Sequence, residues 1–327
     1  MASFRLRAGI WQARVKIKGF PEETKSFGTK ADAQHWAREI ESAMYRGVYL
    51  SQTAQNELLL TDILMRYLKE VTPTKRSAQR ELESITFMHK FKMVNYSMAK
   101  LTPAVIADYR DQRLKTVAAG TILRELSILS SIINHARKEW GVTIENPCQR
   151  IRKPTIPIGR SRLLTDSEEE ALIRELQPRY RRSPLMVPII RIALETAMRR
   201  GEILALRWEN IDLEHQTALL PITKNGTARI VPLSSNAIRI LTDLGPQTQG
   251  IVFSMSHMVL HNCFTHACQR AGIKNLHFHD LRHTATSRIA EKLPNVIELA
   301  SVTGHQTIQM LKRYYHPKAE VLAKKLG

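Results

Sequence analysis

Between residues 279 and 316 the chain reads H-D-L-R-H (279–283), T-G-H (303–305) and K-R-Y-Y-H (312–316). His279 and Arg282 are one helical turn apart, His305 follows a glycine, and Tyr314 lies nine residues beyond it. A phenol attacks a phosphodiester when cations neutralise the non-bridging oxygens and an acid protonates the leaving oxygen. It attacks a carbonyl or a sugar less easily without an acid–base partner of another kind. Phosphoryl transfer therefore accounts for this set of side chains. A second group, T-A-M-R-R-G-E at 196–202, adds Arg199, whose planar fork suits two phosphate oxygens, and Glu202, which can hold that fork. Gly201 is expected to permit a close approach of backbone. Taken alone, either arginine is better explained by a surface ion pair. Lys224 falls at a hairpin tip, where a lysine is usually only solvated; it acts as a general acid if the tip reaches the leaving oxygen. Tyr314 and Tyr315 are adjacent, and spacing does not decide which is the nucleophile.

A polyanion suits the rest of the chain. Lys and Arg number 49 against 30 Asp and Glu, a formal charge of +19 over 327 residues, with a pI near 10.1. A surplus of this size in a chain with 43% apolar residues points to nucleic acid rather than to disorder. The most apolar run, Leu185–Leu194, is too short to span a bilayer and is broken by Pro188 and Arg191. The N-terminus lacks the apolar stretch of a signal peptide. Three cysteines, an odd and sparse set, fit a reduced cytoplasm. His261, Cys263, His266 and Cys268 match no common zinc spacing and fall in an amphipathic run, so no metal site is expected. No Walker loop, H-E-x-x-H or carboxylate cluster calls for ATP or a divalent ion, and no cofactor is expected.

The elements that must position these groups read as follows. Residues 1–28 alternate as three short strands, with turns at Ala8-Gly9 and Gly19-Phe20-Pro21. One face carries Trp11, Val15 or Ile17 and Phe27; the other carries Arg5, Arg7, Arg14, Lys16 and Lys25. That basic face either enters a major groove or is a solvated edge. Thr29 caps a helix running to about Arg46. After a polar stretch at 47–55, the pattern is helical from Leu58 to about Trp140, with Thr102-Pro103 opening one helix. Ile122, Leu126, Leu129, Ile133, Ala136 and Trp140 form the buried stripe of another, which Gly141 ends. Lys75, Arg113 and the other basic residues of this region are expected outside. Residues 146–162 hold three prolines and five basic residues, among them Arg150, Arg152 and Lys153, and read as an extended linker along a phosphate backbone. Thr165–Glu168 is a capping box that opens the last domain. In it, strands at 217–222 and 228–233 flank the Asn225-Gly226 turn.

These residues resemble the tyrosine recombinases, specifically the integrases of bacteriophages and genomic islands. The family's T-G-x-R-x-x-E box is met by T-A-M-R-R-G-E, with Ala197 in place of the usual glycine. Its H-x-x-R, G-H and R-Y-x-H boxes fall on His279 and Arg282, on His305, and on Arg313 to His316. The resemblance selects Tyr314 as nucleophile, and it implies Arg199, Lys224, His279, Arg282 and His305 as its catalytic partners with Glu202 in support. It also implies the fold: a multi-domain, mainly α chain with a three-stranded sheet plus helix at 1–50 (arm-type DNA binding), a helical core-binding bundle at 56–145, the linker at 146–162, and a mostly helical α+β catalytic domain with a small antiparallel sheet at 163–327. The activity implied is cleavage and religation of double-stranded DNA through a 3′-phosphotyrosine, integrating or excising a mobile element. Four protomers would form the synapse in the cytoplasm at the nucleoid, with a directionality factor and a host DNA-bending protein as further partners. The boxes also resemble those of shufflon inversion recombinases. A type IB topoisomerase would share the chemistry without a synapse, and a non-catalytic DNA-binding regulator would be indifferent to Tyr314.

Overall fold

The computed structural model describes residues 2–45, 57–156, 160, 162–178, 183–221, 228–314, 323 and 326. The chain divides into two compact units between Ile158 and Gly159. Among the described residues it is mainly helical, with two antiparallel three-stranded sheets.

In the first unit, β1 (Ala2–Arg7), β2 (Ile10–Val15) and β3 (Glu23–Phe27) pair in chain order. The register sets Leu6 against Trp11 and Trp11 against Phe27. Helix α1 (Lys30–Tyr45) begins where the Asp32 amide donates to Thr29 Oγ1, and it buries Ala33, Ala37 and Met44 towards the sheet. Cross-strand partners share a face, so Arg5, Arg7 and Arg14 do lie together on the side away from Trp11. Lys25 does not. It pairs with Ala13 on the apolar side, and its ammonium sits 5.6 Å from the Phe27 ring centroid. Lys16 lies just beyond the end of β2.

Helices α2 (Leu60–Glu70), α3 (Ala78–Met88), α4 (Pro103–Leu114) and α5 (Ala119–Glu139) form a bundle around Leu64, Ile85, Ile106, Ile122 and Leu129. The stripe expected on α5 is buried, and Gly141 ends it with φ +70°. Among the cations expected outside, Arg113 is buried and Arg110 and Lys75 are half-buried. Arg113 is 6% exposed and forks onto Glu125, which also accepts from the Tyr109 hydroxyl. Lys75 donates to Glu81 and Tyr67. The stretch 146–162 is also not an extended linker throughout. Asn146, Pro147 and Cys148 are buried, and the Asn146 amide donates to Ser130 and Asn134 of α5, so its first residues belong to the bundle. Arg150 pairs with Glu145, while Arg152 and Lys153 are exposed.

The second unit opens with Arg160 and Arg162 fastened into it, Arg160 on Asp280 and Asn275 and Arg162 on Glu168. The capping box forms as read, starting α6 (Asp166–Leu176). Helix α7 (Met186–Thr196) is the central one, buried over most of its surface, as its apolar sequence requires. Then follow α8 (Arg200–Leu204), a sheet of β4 (Ile211–Asp212), β5 (Thr217–Leu220) and β6 (Arg229–Pro232), and α9 (Ser235–Asp243) and α10 (His257–Arg270). The last elements are α11 (Phe278–Lys292), α12 (Val296–Thr303) and α13 (Ile308–Leu311), with a 3₁₀ turn at Lys312–Tyr314. Ala218, Leu220 and Val231 turn the sheet's inner face to the same core as α7, α10 and Leu281. A smaller core of Ala290, Leu299 and Leu311 ties α11, α12 and α13 together, and Tyr314 packs against it. Cys268 of the rejected H-x-C-x-x-H-x-C run packs into the main core, where burial pushes its thiol up to about 11. Among the described residues no helix is long and apolar enough to cross a membrane.

Candidate functional site

The site is built on the C-terminal end of α12. The last carbonyls of a helix have no partner within it and carry partial negative charge. Here three consecutive ones are each taken by a different arginine. Val302 accepts from Arg229 Nη1 at 2.7 Å, Thr303 from Arg282 Nη2 at 2.6 Å, and Gly304 from Arg199 Nη2 at 3.3 Å. Gly304 makes this possible, since its φ of +68° turns the chain out of the helix and directly into His305.

Each arginine arrives on its own element. Arg199 is the N-cap of α8, and its amide and Nη1 both meet Glu202, at 2.9 and 2.7 Å. Glu202 also receives Nη2 of Arg229, the first residue of β6, at 2.8 Å. Burial alone would raise the Glu202 carboxyl. The Arg199 amide and the two guanidiniums outweigh it and hold the carboxyl below the usual carboxylate range. Arg282 is 4% exposed on α11, with its other terminal nitrogen on the Ala197 carbonyl. Burial, and then the charge of Arg199, pull its guanidinium down to about 10, so it stays cationic at neutral pH. Ala197 ends α7 at φ +51°, a conformation that favours glycine, so the residue that departs from the family box is the one with the strained backbone. Gly201, expected to mark a close approach, does not. Among the described residues, a Cβ there would meet only His257, at 3.8 Å.

On the other side of the arginines stand the rings. His305 Nδ1 lies 2.6 Å from Thr303 Oγ1, whose own proton goes to the Leu299 carbonyl, also at 2.6 Å. The hydroxyl must then accept from the imidazole, which puts the ring proton on Nδ1 and leaves the lone pair on Nε2. Burial first, then the charges of Arg282, Arg199 and Arg229, push the His305 pKa down to about 4. The Tyr314 ring centroid is 6.2 Å from that of His305, and the Tyr314 hydroxyl is hydrogen-bonded to His283 Nδ1.

A consequence for stability follows. Unfolded, His305 takes up its proton near pH 6.5; folded, it does so only near 4. The unfolded chain therefore binds more protons between these values, so the contribution is whole above pH 6.5 and is lost as pH falls towards 4. Chemical-denaturation midpoints measured from pH 7.5 to 4.5 should fall less steeply for His305→Gln than for the unsubstituted chain.

Of the residues singled out from sequence, Arg199, Glu202, Arg282, His305 and Tyr314 meet here. His279 is exposed one turn before His283, the two rings edge to face at 5.1 Å. Lys224, Tyr315 and His316 lie outside the described residues. Arg5, Arg7, Arg14, Arg150 and Arg152, with Lys16 and Lys153, belong to the other unit. Two residues of the cluster escaped the sequence reading. His283 was visible in H-D-L-R-H as a fourth imidazole on the same stretch. Arg229 carried no signal beyond its place after the hairpin turn. Two guanidiniums anchored to a helix end, with a neutral imidazole and a phenol beside them, make a site suited to an anionic ester.

Comparison with known proteins agrees. The phage integrase family matches residues 162–320. A shufflon-specific DNA recombinase of Escherichia coli is 43% identical over 280 residues, covering 83% of this chain and 72% of that protein. A Haemophilus influenzae protein provisionally assigned as an integrase/recombinase is 35% identical, covering 97% of this chain and 87% of its own. Among solved structures, a lambda integrase tetramer bound to a Holliday junction superposes with a TM-score of 0.66 at 18% identity, covering 97% of this chain and 98% of that one. The chain belongs to the phage integrase family of tyrosine recombinases.

Proposed function

We propose that the protein is a site-specific integrase that cuts and rejoins double-stranded DNA through Tyr314. The observation that carries this reading is the pair of helix-anchored arginines facing the Tyr314–His283 hydrogen bond. Arg199 and Arg282 would take the non-bridging oxygens of the scissile phosphate with the N–H groups that the protein leaves over. Tyr314 Oη then attacks phosphorus, giving a 3′-phosphotyrosine, and the bond to the 5′ oxygen breaks. The phenolic proton passes to the imidazole pair, with His283 in contact and His279 behind it, and Lys224 protonates the departing oxygen. The phosphate's negative charge offsets the arginines, so His305 gains a proton on Nε2 and donates it in a hydrogen bond to the phosphate. The ester keeps the bond energy, so religation needs no ATP.

In the same reading, residues 1–50 form an arm-type domain whose Arg5, Arg7 and Arg14 face DNA, with Lys16 beside them. Residues 56–145 are the core-binding domain, and 163–327 are catalytic. Arg150, Arg152 and Lys153 follow the backbone between them. Four protomers would synapse two duplexes; the solved lambda integrase is a tetramer bound to a Holliday junction. A directionality factor and a host bending protein would set the outcome, and the work would be done at the nucleoid. One observation favours DNA inversion as a second reading: the 43% identity to the shufflon-specific recombinase.

The test is covalent trapping. The full-length protein, without metal or ATP, is incubated with nicked duplexes tiled across the DNA flanking its own gene. A denaturant-resistant adduct is expected, with the nucleotide mapped by mass spectrometry to Tyr314. Tight binding without an adduct on any duplex would overturn the reading in favour of a regulator. Inverting and integrating activities separate on plasmids carrying two copies of the cleaved site.

A further inference from the structure

Arg229 stands outside the catalytic set, yet like Arg199 and Arg282 it makes two side-chain hydrogen bonds at the end of α12. Its side chain is 12% exposed. Nη2 meets Glu202 Oε2 at 2.8 Å, and Nη1 meets the Val302 carbonyl at 2.7 Å. Nε is buried with no hydrogen-bond partner among the described residues. The guanidinium lies flat against Gly304, where a Cβ would come within 2.7 Å of Nη1 and 2.8 Å of Cζ. Glu202 thus has one oxygen on the Arg199 side chain, while the other is shared between the Arg199 amide and Arg229. Arg229 also opens β6, opposite Leu220 of β5.

Resting on the recombinase reading, we propose that Arg229 is a positioning residue of the cleavage site. It fastens β6 to Glu202 and to the end of α12, and thereby sets where Arg199 and His305 meet the scissile phosphate. What the geometry shows of Arg229 is its hold on neighbours: Nη2 on Glu202, Nη1 on the Val302 carbonyl, and Nε closed in against Gly304. Its work is done through its neighbours. A carboxylate held by one arginine can swing; held by two from different elements, it fixes the Arg199 fork in one orientation. The carbonyl bond likewise fixes the peptide two residues before the His305-bearing turn.

Two measurements test this, one of them independent of DNA. The His305 ring faces Arg282 and His283 from α11, Arg199 from α8, Arg229 from β6, and Tyr314 from the final turn. In Arg229→Gln its NMR titration should move up from about 4 towards the ordinary value, because one of the facing cations is gone. An unchanged titration would show that Arg229 does not act on His305 and would overturn the proposal, whatever the protein does to DNA. The second measurement is single-turnover cleavage of the nicked duplex that gives most adduct with the unsubstituted protein. Arg229→Gln should bind that duplex within about threefold of normal but cleave it on the order of 100-fold more slowly. Arg229→Lys, which keeps the charge but cannot bridge two acceptors as a fork, should recover part of the loss, and it carries the test if the glutamine variant does not fold. The defect should persist on a duplex with a sulfur at the bridging 5′ position, whose thiolate leaves without a general acid. Full rescue by sulfur would mean that Arg229 serves only the protonation of the leaving oxygen. Equal losses of binding and cleavage would mean that it serves only affinity. Either result overturns the proposal.

Discussion

Tyr314→Phe should lose the covalent adduct altogether, a fall in cleavage of roughly 10⁴-fold or more, while binding DNA as the unsubstituted chain does. The reason for so clean a separation lies in how the ring is held. Tyr314 packs on the small core of Ala290, Leu299 and Leu311, and a phenylalanine keeps all of that contact. What is removed is the hydroxyl and its hydrogen bond to His283, a neutral bond whose loss costs about 1 kcal/mol of stability. Fold and affinity should therefore survive, and only the nucleophile is missing. Tyr315→Phe is the necessary contrast, because the two residues are adjacent and spacing does not separate them. It should still form the adduct. Adduct from the Tyr314 variant, at any rate near that of the parent, would remove Tyr314 from the mechanism and hand the role to its neighbour.

What sequence could and could not show follows from what an amino-acid string encodes. Periodicity and capping chemistry are written in side-chain type, so Thr29 before α1, the Thr165–Glu168 box before α6 and the buried stripe of α5 were all legible. The catalytic boxes were legible for the same reason, as residue types at fixed intervals. The supports of the site are mostly backbone carbonyls, which every residue carries alike. Nothing in the string says that Val302, Thr303 and Gly304 each offer one to a different arginine. Arg229 was missed because its partners lie 27 and 73 residues away in the chain. Arg113 and Lys75 were misplaced because a charged residue reads as exposed unless its acidic partner can be foreseen, and Glu125 lies 12 residues from Arg113. Lys25 failed for a different reason. It stands two residues before Phe27 on β3, so alternation within the strand already puts both on one face, whereas counting Lys25 with the other cations set it on the opposite one.

Arg282→Ala should be the substitution most damaging to the molecule as a whole, costing both catalysis and stability. The guanidinium is 4% exposed and caps two carbonyls, Ala197 at the end of α7 and Thr303 at the end of α12. Deleting it leaves both acceptors without a partner in a buried place, at about 1–3 kcal/mol each, besides a void the size of the side chain. Part of this is returned, because the buried cation is itself held under repulsion from Arg199 and Arg229. A net loss of about 2–4 kcal/mol is expected, read as a shift of the denaturant midpoint. Cleavage should fall by at least about 10³-fold, since a fixed cation beside the developing charge is lost and the α7 and α12 ends it joins are free to part. Arg282→Lys distinguishes the two contributions. A lysine restores the positive charge but is a point donor that cannot span both carbonyls and still face a phosphate. It should regain some stability and little cleavage. If the lysine variant instead cleaves near the parental rate, then charge alone is what the site needs from residue 282, and the fixed fork anchored on the end of α12 is not what organises it.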